Sequence, residues 1–144
     1  MNRKVPQLKN IKLDIGCGIN KIKGYVGMDV RDCGQEIIWD ARKGIPFPDS
    51  SVDAIHTSHF IEHLDDDQGI DFIQECMRVL KPKGDMANRC PHVIDPTAFY
   101  FGHKSFWNEQ RVEALNRMTE KIEPFIITEN RKDGRELKFI LKKL

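Results

Sequence analysis

The chain has 144 residues, with 23 basic and 22 acidic side chains and a formal charge of +1. That length predicts a single domain over residues 1–144, large enough to bury a core without staples. The balanced charge excludes a global field for nucleic acid or anionic membranes, and no stretch reaches membrane-spanning length.

Cys17, Cys33, Cys76 and Cys90 form no C-x-x-C pair, so neither a disulfide framework nor a zinc ribbon is expected. Reduced thiols in a cytoplasmic protein are the reading. The N-terminal M-N-R-K-V-P-Q-L-K-N lacks the apolar core of a signal peptide.

In chain order, Ile11–Ile15 alternates apolar and polar and stops at Gly16-Cys17-Gly18, a strand entering a glycine turn. Tyr25–Val30 and Glu36–Asp40 are two further short apolar runs, each with a carboxylate at or near its end. A fourth, Val52–Ser58, is entered through the turn Pro48-Asp49-Ser50-Ser51. From Asp65 the period becomes helical, with N-caps in Asp65-Asp66-Asp67 and a buried stripe of Ile70, Ile73, Cys76, Met77 and Leu80. Lys81-Pro82-Lys83-Gly84 ends that helix. An unusually polar strand follows over Met86–Cys90, then a loop over Pro91–Lys104. A helix capped by Ser105 is expected to reach about Thr119 and to bury Phe106, Trp107, Leu115 and Met118. The C-terminal part reads as a hairpin, 122–129 with 136–142, turning near Asp133-Gly134. Strands alternating with turns and helices predict an α/β sheet, mostly parallel, with an antiparallel C-terminal hairpin and a site at the strands' C-terminal edge.

A strand ending in D-I-G-C-G brings backbone N–H groups close to a ligand, since side chains at Gly16 and Gly18 would obstruct it. Asp29, ending the next strand, can accept hydrogen bonds from a ribose diol. These are parts of an adenosine-cofactor site. In order along the chain stand L-D-I-G-C-G (13–18), G-Y-V-G-M-D (24–29), I-P-F-P-D-S-S-V-D (45–53), S-H-F-I-E-H-L (58–64) and E-C-M-R-V-L-K-P-K-G (75–84). This succession resembles the class I S-adenosylmethionine-dependent methyltransferases over roughly residues 11–92, in a minimal, short-loop form. The resemblance implies a Rossmann-like sheet, S-adenosyl-L-methionine as cofactor and methyl transfer to an acceptor that the motifs do not name. It implies that Asp14, Gly16, Cys17 and Gly18 embrace the methionine and ribose, and that Asp29 binds the ribose hydroxyls. Asp40 and Ala41 would lie beside the adenine, and Ser58 and His59 beside the methionine.

Two departures stand out. Gly16 to Asp29 is too short for a dinucleotide fingerprint with its helix, and Lys21 replaces the third glycine, which argues against a nicotinamide dehydrogenase. The first crossover helix is therefore expected to be shortened or absent, leaving part of one sheet face for a second copy or partner to cover. Asn88 and Arg89 sit in a strand that is apolar in relatives, so they need partners or serve the site. A cofactor-binding module with little or no turnover, acting through an interaction, is the alternative these departures keep open.

His59-Phe60-Ile61-Glu62-His63 also fits the H-x-x-E-H letters of inverted zinc peptidases. A third, distal ligand is not evident in the sequence, so no bound metal is expected and the pair reads as part of the strand-to-helix entry. His59 and His92 are the candidates for a general base, with Asp95 and His103 further along the loop. Cys90 has no visible activating partner for a nucleophilic role. The chain lacks the [DNS]-P-P-aromatic run of DNA amino-methylating enzymes, and Arg131, Lys132, Arg135, Lys138, Lys142 and Lys143 read as a solvated hairpin face. No strong nucleic-acid signal and no membrane partner are expected.

Overall fold

The computed structural model describes residues 9–118 and 120–144. The first eight positions of the N-terminal stretch and Thr119 lie outside the described residues. Seven strands form one sheet in the order β3-β2-β1-β4-β5-β7-β6. β1 (Lys12–Ile15), β2 (Val26–Asp29), β3 (Ile37–Ile38), β4 (Val52–Ser58) and β5 (Leu80–Pro91) pair in parallel. β6 (Phe125–Asp133) and β7 (Glu136–Lys143) form the antiparallel hairpin, and β7 also runs antiparallel to β5. The order reverses between β1 and β4, which opens a crevice at the C-terminal ends of those two strands.

Helix α1 (Asp66–Val79) starts as its sequence demands. Asp65 accepts from Gln68 N–H, and the Gln68 side chain returns the bond to Asp65 N–H. The chain leaves α1 directly into β5, which begins at Leu80 rather than Met86. A break in register between Val52 and Ala54 of β4 absorbs the K-P-K-G segment. Gly84 is required there, because a Cβ would lie 2.9 Å from the Lys81 carbonyl and 3.0 Å from that of Asp53. The second helix is shorter than the sequence suggests. Asn108, not Ser105, caps α2 (Glu109–Ala114), which continues as a 3-10 turn over Leu115–Met118. Ser105 is buried instead, donating to the Ile61 carbonyl and accepting from Trp107 Nε1. Trp107 and Leu115 are buried as expected, whereas Phe106 is exposed and stacks on Phe99.

The pairing registers sort the sheet's side chains by face. Leu13, Ile55, Met86 and Leu141 stand in adjacent register with Phe139 beside them, and all are buried in one core with Phe72, Ile73 and Met77 of α1 and Val112 of α2. On the opposite face Asp14, His56, Ala87 and Ile140 align, flanked by Lys12, Arg89, Lys138 and Lys142. Among the described residues neither 16–25 nor 30–36 contains a helix, so the first crossover helix is absent, as expected. The open face is largely polar and internally paired: His56 with Asp14, Arg89 with Glu136, Lys138 with Asp133 and Lys142 with Asp85. An antiparallel or mixed sheet tolerates one solvated face when that face is polar. The missing helix is thus matched by surface chemistry, and the face makes no apolar demand for a covering subunit. No helix of the described residues is long and apolar enough to cross a membrane.

Asn88, the polar residue of β5, lies in a central strand and is buried. Its Oδ1 accepts from Thr57 Oγ1 at 2.7 Å across the β4–β5 pair, and its Nδ2 donates to the Met86 carbonyl at 3.3 Å. Thr57→Val should cost about 1–3 kcal/mol by leaving a buried acceptor unpaired, and adding Asn88→Leu should recover part of it. Urea denaturation of the two variants checks both expectations.

Candidate active site

The crevice is built on the turn that follows β1. Gly16 has φ of +68° and Gly18 of +55°, values that favour glycine. A Cβ on Gly16 would meet the Phe60 ring at 2.5 Å, so this glycine answers to the protein's own aromatic wall rather than to ligand approach alone. At Gly18 nothing lies within 4 Å of the Cβ position, and space beside that backbone is open.

Two buried carboxylates hold the turn. Asp14 Oδ2 accepts from Ile22 N–H at 3.0 Å, and its Oδ1 lies 3.1 Å from His56 Nδ1. Asp29 Oδ2 accepts from Gly18 N–H at 2.9 Å, and its Oδ1 accepts from Arg31 N–H at 3.0 Å. A carboxylate offers about four lone-pair sites, so each Asp29 oxygen keeps acceptor capacity toward the crevice.

Two clefts meet here. One, of about 470 Å³, is lined by Gly16, Met28, Asp29, Trp39, Asp40, Ala41, His59, Phe60 and His63, among others. The other, of about 700 Å³, is lined by Asp14, Cys17, Gly18, His56, Ser58 and Arg89. Gly16, Arg31 and His59 border both. Every residue expected to hold the cofactor, from Asp14 to His59, therefore lines one cleft or the other. Asp40 caps the 3-10 turn Ala41–Lys43 through Arg42 N–H, and the Arg42 guanidinium keeps its carboxyl below the usual range. Burial, with Asp14 and Asp29 close by, pushes the Cys17 thiol up to about 11.

His59 occupies the junction with φ of +53°, an uncommon backbone state for histidine and one that clusters at functional sites. Its Nε2 lies 2.8 Å from Glu136 Oε2 and its Nδ1 lies 3.5 Å from Glu62 Oε2. Glu62 foremost, with Glu136, raises its pKa above the ordinary imidazole value, against the opposing effect of burial. Arg89 also reaches Glu136, through Nη1 at 3.2 Å, and the His59 N–H donates to the Arg89 carbonyl. The polar residue of β5 that looked anomalous in sequence thus borders the crevice.

His92 is not brought there. It is buried, its Nδ1 accepts from Ile94 N–H at 3.2 Å, its Nε2 faces Glu109 Oε1, and it borders neither cleft. Both ring nitrogens are committed to fixing the loop after β5, which removes it as a base. Cys90 is buried with its thiol pKa pushed up by burial, so it is no nucleophile. Asp95 caps the 3-10 turn Pro96–Phe99 by accepting from Thr97 N–H. Sequence reading missed Trp39, Phe60, Arg31 and His56 as cleft walls, and missed Glu136 altogether. Glu136 lies 77 positions from His59 and carries no local signal.

Residues 29–87 match the methyltransferase domain family. Among curated proteins no sequence matches the chain. Solved structures do. A SAM-dependent methyltransferase from Archaeoglobus fulgidus superposes with TM-score 0.70 at 19% identity, covering 93% of this chain and 86% of that one. One from Mesorhizobium loti gives 0.68 at 12%, covering 94% and 91%. The Haemonchus contortus phosphoethanolamine N-methyltransferase 1, solved with phosphoethanolamine and S-adenosylhomocysteine, gives 0.75 at 17%, covering 97% of this chain and 40% of that one. The chain has the class I S-adenosylmethionine-dependent methyltransferase fold. The family match lies inside that fold, over the segment from the end of β2 into β5.

The Cys17 environment makes a direct prediction. At pH 8 iodoacetamide should modify partly exposed Cys33 first and leave Cys17, Cys76 and Cys90 largely unmodified, because only the thiolate reacts. Peptide mass mapping at timed quenches reads the order.

Proposed function

We propose that the smaller cleft holds the adenosine part of S-adenosylmethionine and that the methyl acceptor enters by the larger one. The observation that carries this reading is the meeting of the two clefts at Gly16 and His59, at the reversal of strand order. The cofactor supplies a methyl group already activated on a sulfonium, so the protein's part is chiefly positioning.

Asp29 is assigned to the ribose hydroxyls, Asp40 and Ala41 to the adenine edge, and Gly16, Cys17, Gly18 and Ser58 to the methionine end. The open space beside Gly18 and the spare acceptor capacity of Asp29 fit that assignment. His59, half exposed at the junction, is held between two carboxylates that favour its charged form, so it is placed to orient an acceptor by charge rather than to take its proton. Arg31, His56 and Arg89 line the larger cleft and favour an acceptor bearing oxygen-rich or anionic groups.

Asp29→Ala should weaken S-adenosylmethionine binding by about 2–4 kcal/mol, from one or two charged hydrogen bonds, which is roughly 30- to 900-fold in Kd. Part of that loss comes through the turn, since Asp29 also holds Gly18 N–H. Asp32→Ala removes an exposed turn bond to Gly34 N–H, away from the clefts, and should lose little. Isothermal titration of both variants decides: a larger loss in Asp32→Ala would place the ribose elsewhere. Transfer of a labelled methyl group to panels of amine, hydroxyl and thiol acceptors then identifies the acceptor class.

A further inference from the structure

One buried carboxylate has no hydrogen-bond partner in the fold. Glu62 is 2% exposed, and neither of its side-chain oxygens has a hydrogen-bond partner among the described residues. His59 Nδ1, at 3.5 Å from Oε2, is a long contact. An ionised carboxylate in such surroundings is costly unless a cation or donors compensate it.

Two histidines stand beside it. One donor atom from each of Glu62, His63 and His103 lies within 4.8 Å of the other two. His63 Nδ1 lies 3.1 Å from the Gly102 carbonyl, and His103 Nδ1 lies 3.1 Å from the Ala98 carbonyl. A carbonyl only accepts, so both Nδ1 atoms carry the proton, and each Nε2 is left with a lone pair to give. Fixing one ring nitrogen on a backbone carbonyl is how proteins orient metal-ligating histidines. The placement of His103 is itself built in: Lys104 N–H and Ser105 N–H both donate to the Glu62 carbonyl, at 2.8 and 3.1 Å. The loop is thereby pinned to the very residue whose carboxylate is unpaired. His103 is a ligand that the sequence around Glu62 and His63 did not announce, and it arrives from the loop after β5 through the fold.

We propose that Glu62, His63 and His103 bind one divalent transition-metal cation. Two imidazoles and a carboxylate suit zinc or its first-row neighbours, and three protein ligands leave a coordination position open. His63 also lines the smaller cleft, so the ion stands at its rim. There, on the reading proposed above, the open position can take an oxygen donor of the ligand held in that cleft.

The test is metal binding without cofactor. Protein made without a polyhistidine tag, stripped with chelator, is titrated with zinc by calorimetry and with cobalt(II) by visible absorption. One ion per chain is expected, with cobalt ligand-field bands. His103→Ala and Glu62→Gln should each abolish stoichiometric binding with circular dichroism unchanged, while His92→Ala retains it. Should Glu62→Gln fail to fold, the less buried His103→Ala decides alone. No stoichiometric ion in the unsubstituted chain, or an ion that survives in His103→Ala, overturns the proposal. S-adenosylmethionine titration of His103→Ala separates the two readings: retained cofactor affinity with lost metal is the expected result. Loss of cofactor binding in Asp29→Ala with metal retained tests the cofactor assignment alone.

Discussion

Between β1 and β2 the chain has ten residues and no helix, and it is held in place by two carboxylates that accept backbone N–H groups. Asp14 takes Ile22 and Asp29 takes Gly18, each from the end or interior of a buried strand. Charge-assisted bonds of this kind are about twice as strong as neutral ones. They fix the glycine turn without the crossover helix that ordinarily does so. Both clefts take walls from this segment, so the site's geometry rests on these bonds. The same acids are the ones assigned to the cofactor, which couples the rigidity of the turn to the chemistry of the site.

The loss of that helix could have left an apolar sheet face in water. It did not, because most of the alternate residues of β1, β4, β5 and β7 on that face are lysine, aspartate, histidine and arginine beside Ala87 and Ile140, several of them in ion pairs. Exposed pairs of this sort add little stability, with a median of about 0–1 kcal/mol. Their role is solubility of an open face, while stability comes from the other side. There α1 and α2 seal Leu13, Ile55, Met86, Phe139 and Leu141 in a continuous core.

The segment after β5 joins these themes. It returns across the end of the sheet, fixed by His92 within itself and by Glu62 through its carbonyl. It carries Phe99, Tyr100 and Phe101 exposed near its tip, and it places His103 against His63. From the other direction the β6–β7 hairpin sends Glu136 to His59 and Arg89. His59 thus sits where the parallel half of the sheet and the antiparallel hairpin converge.

Much of this was legible in the chain alone. The strand-turn-strand rhythm, the N-cap at Asp65 and the hairpin follow from local patterns, because turns, caps and periodicity are decided by neighbours in sequence, while the expected cofactor residues came from the resemblance of the motif order. The motif order was enough to assign the fold. What only the tertiary structure decided are the pairings between distant residues. Asn88 looked misplaced until Thr57 stood across from it in the sheet, and Arg89 until Glu136 did. Ser105 looked like a helix cap until Trp107 and Ile61 claimed its hydroxyl. His92 looked available until Ile94 and Glu109 occupied its ring nitrogens. Glu62 and His63 were only neighbours in sequence until the loop laid His103 beside them. Such contacts leave no local trace, since the energy of a hydrogen bond or an ion depends on distance in space and not on separation along the chain.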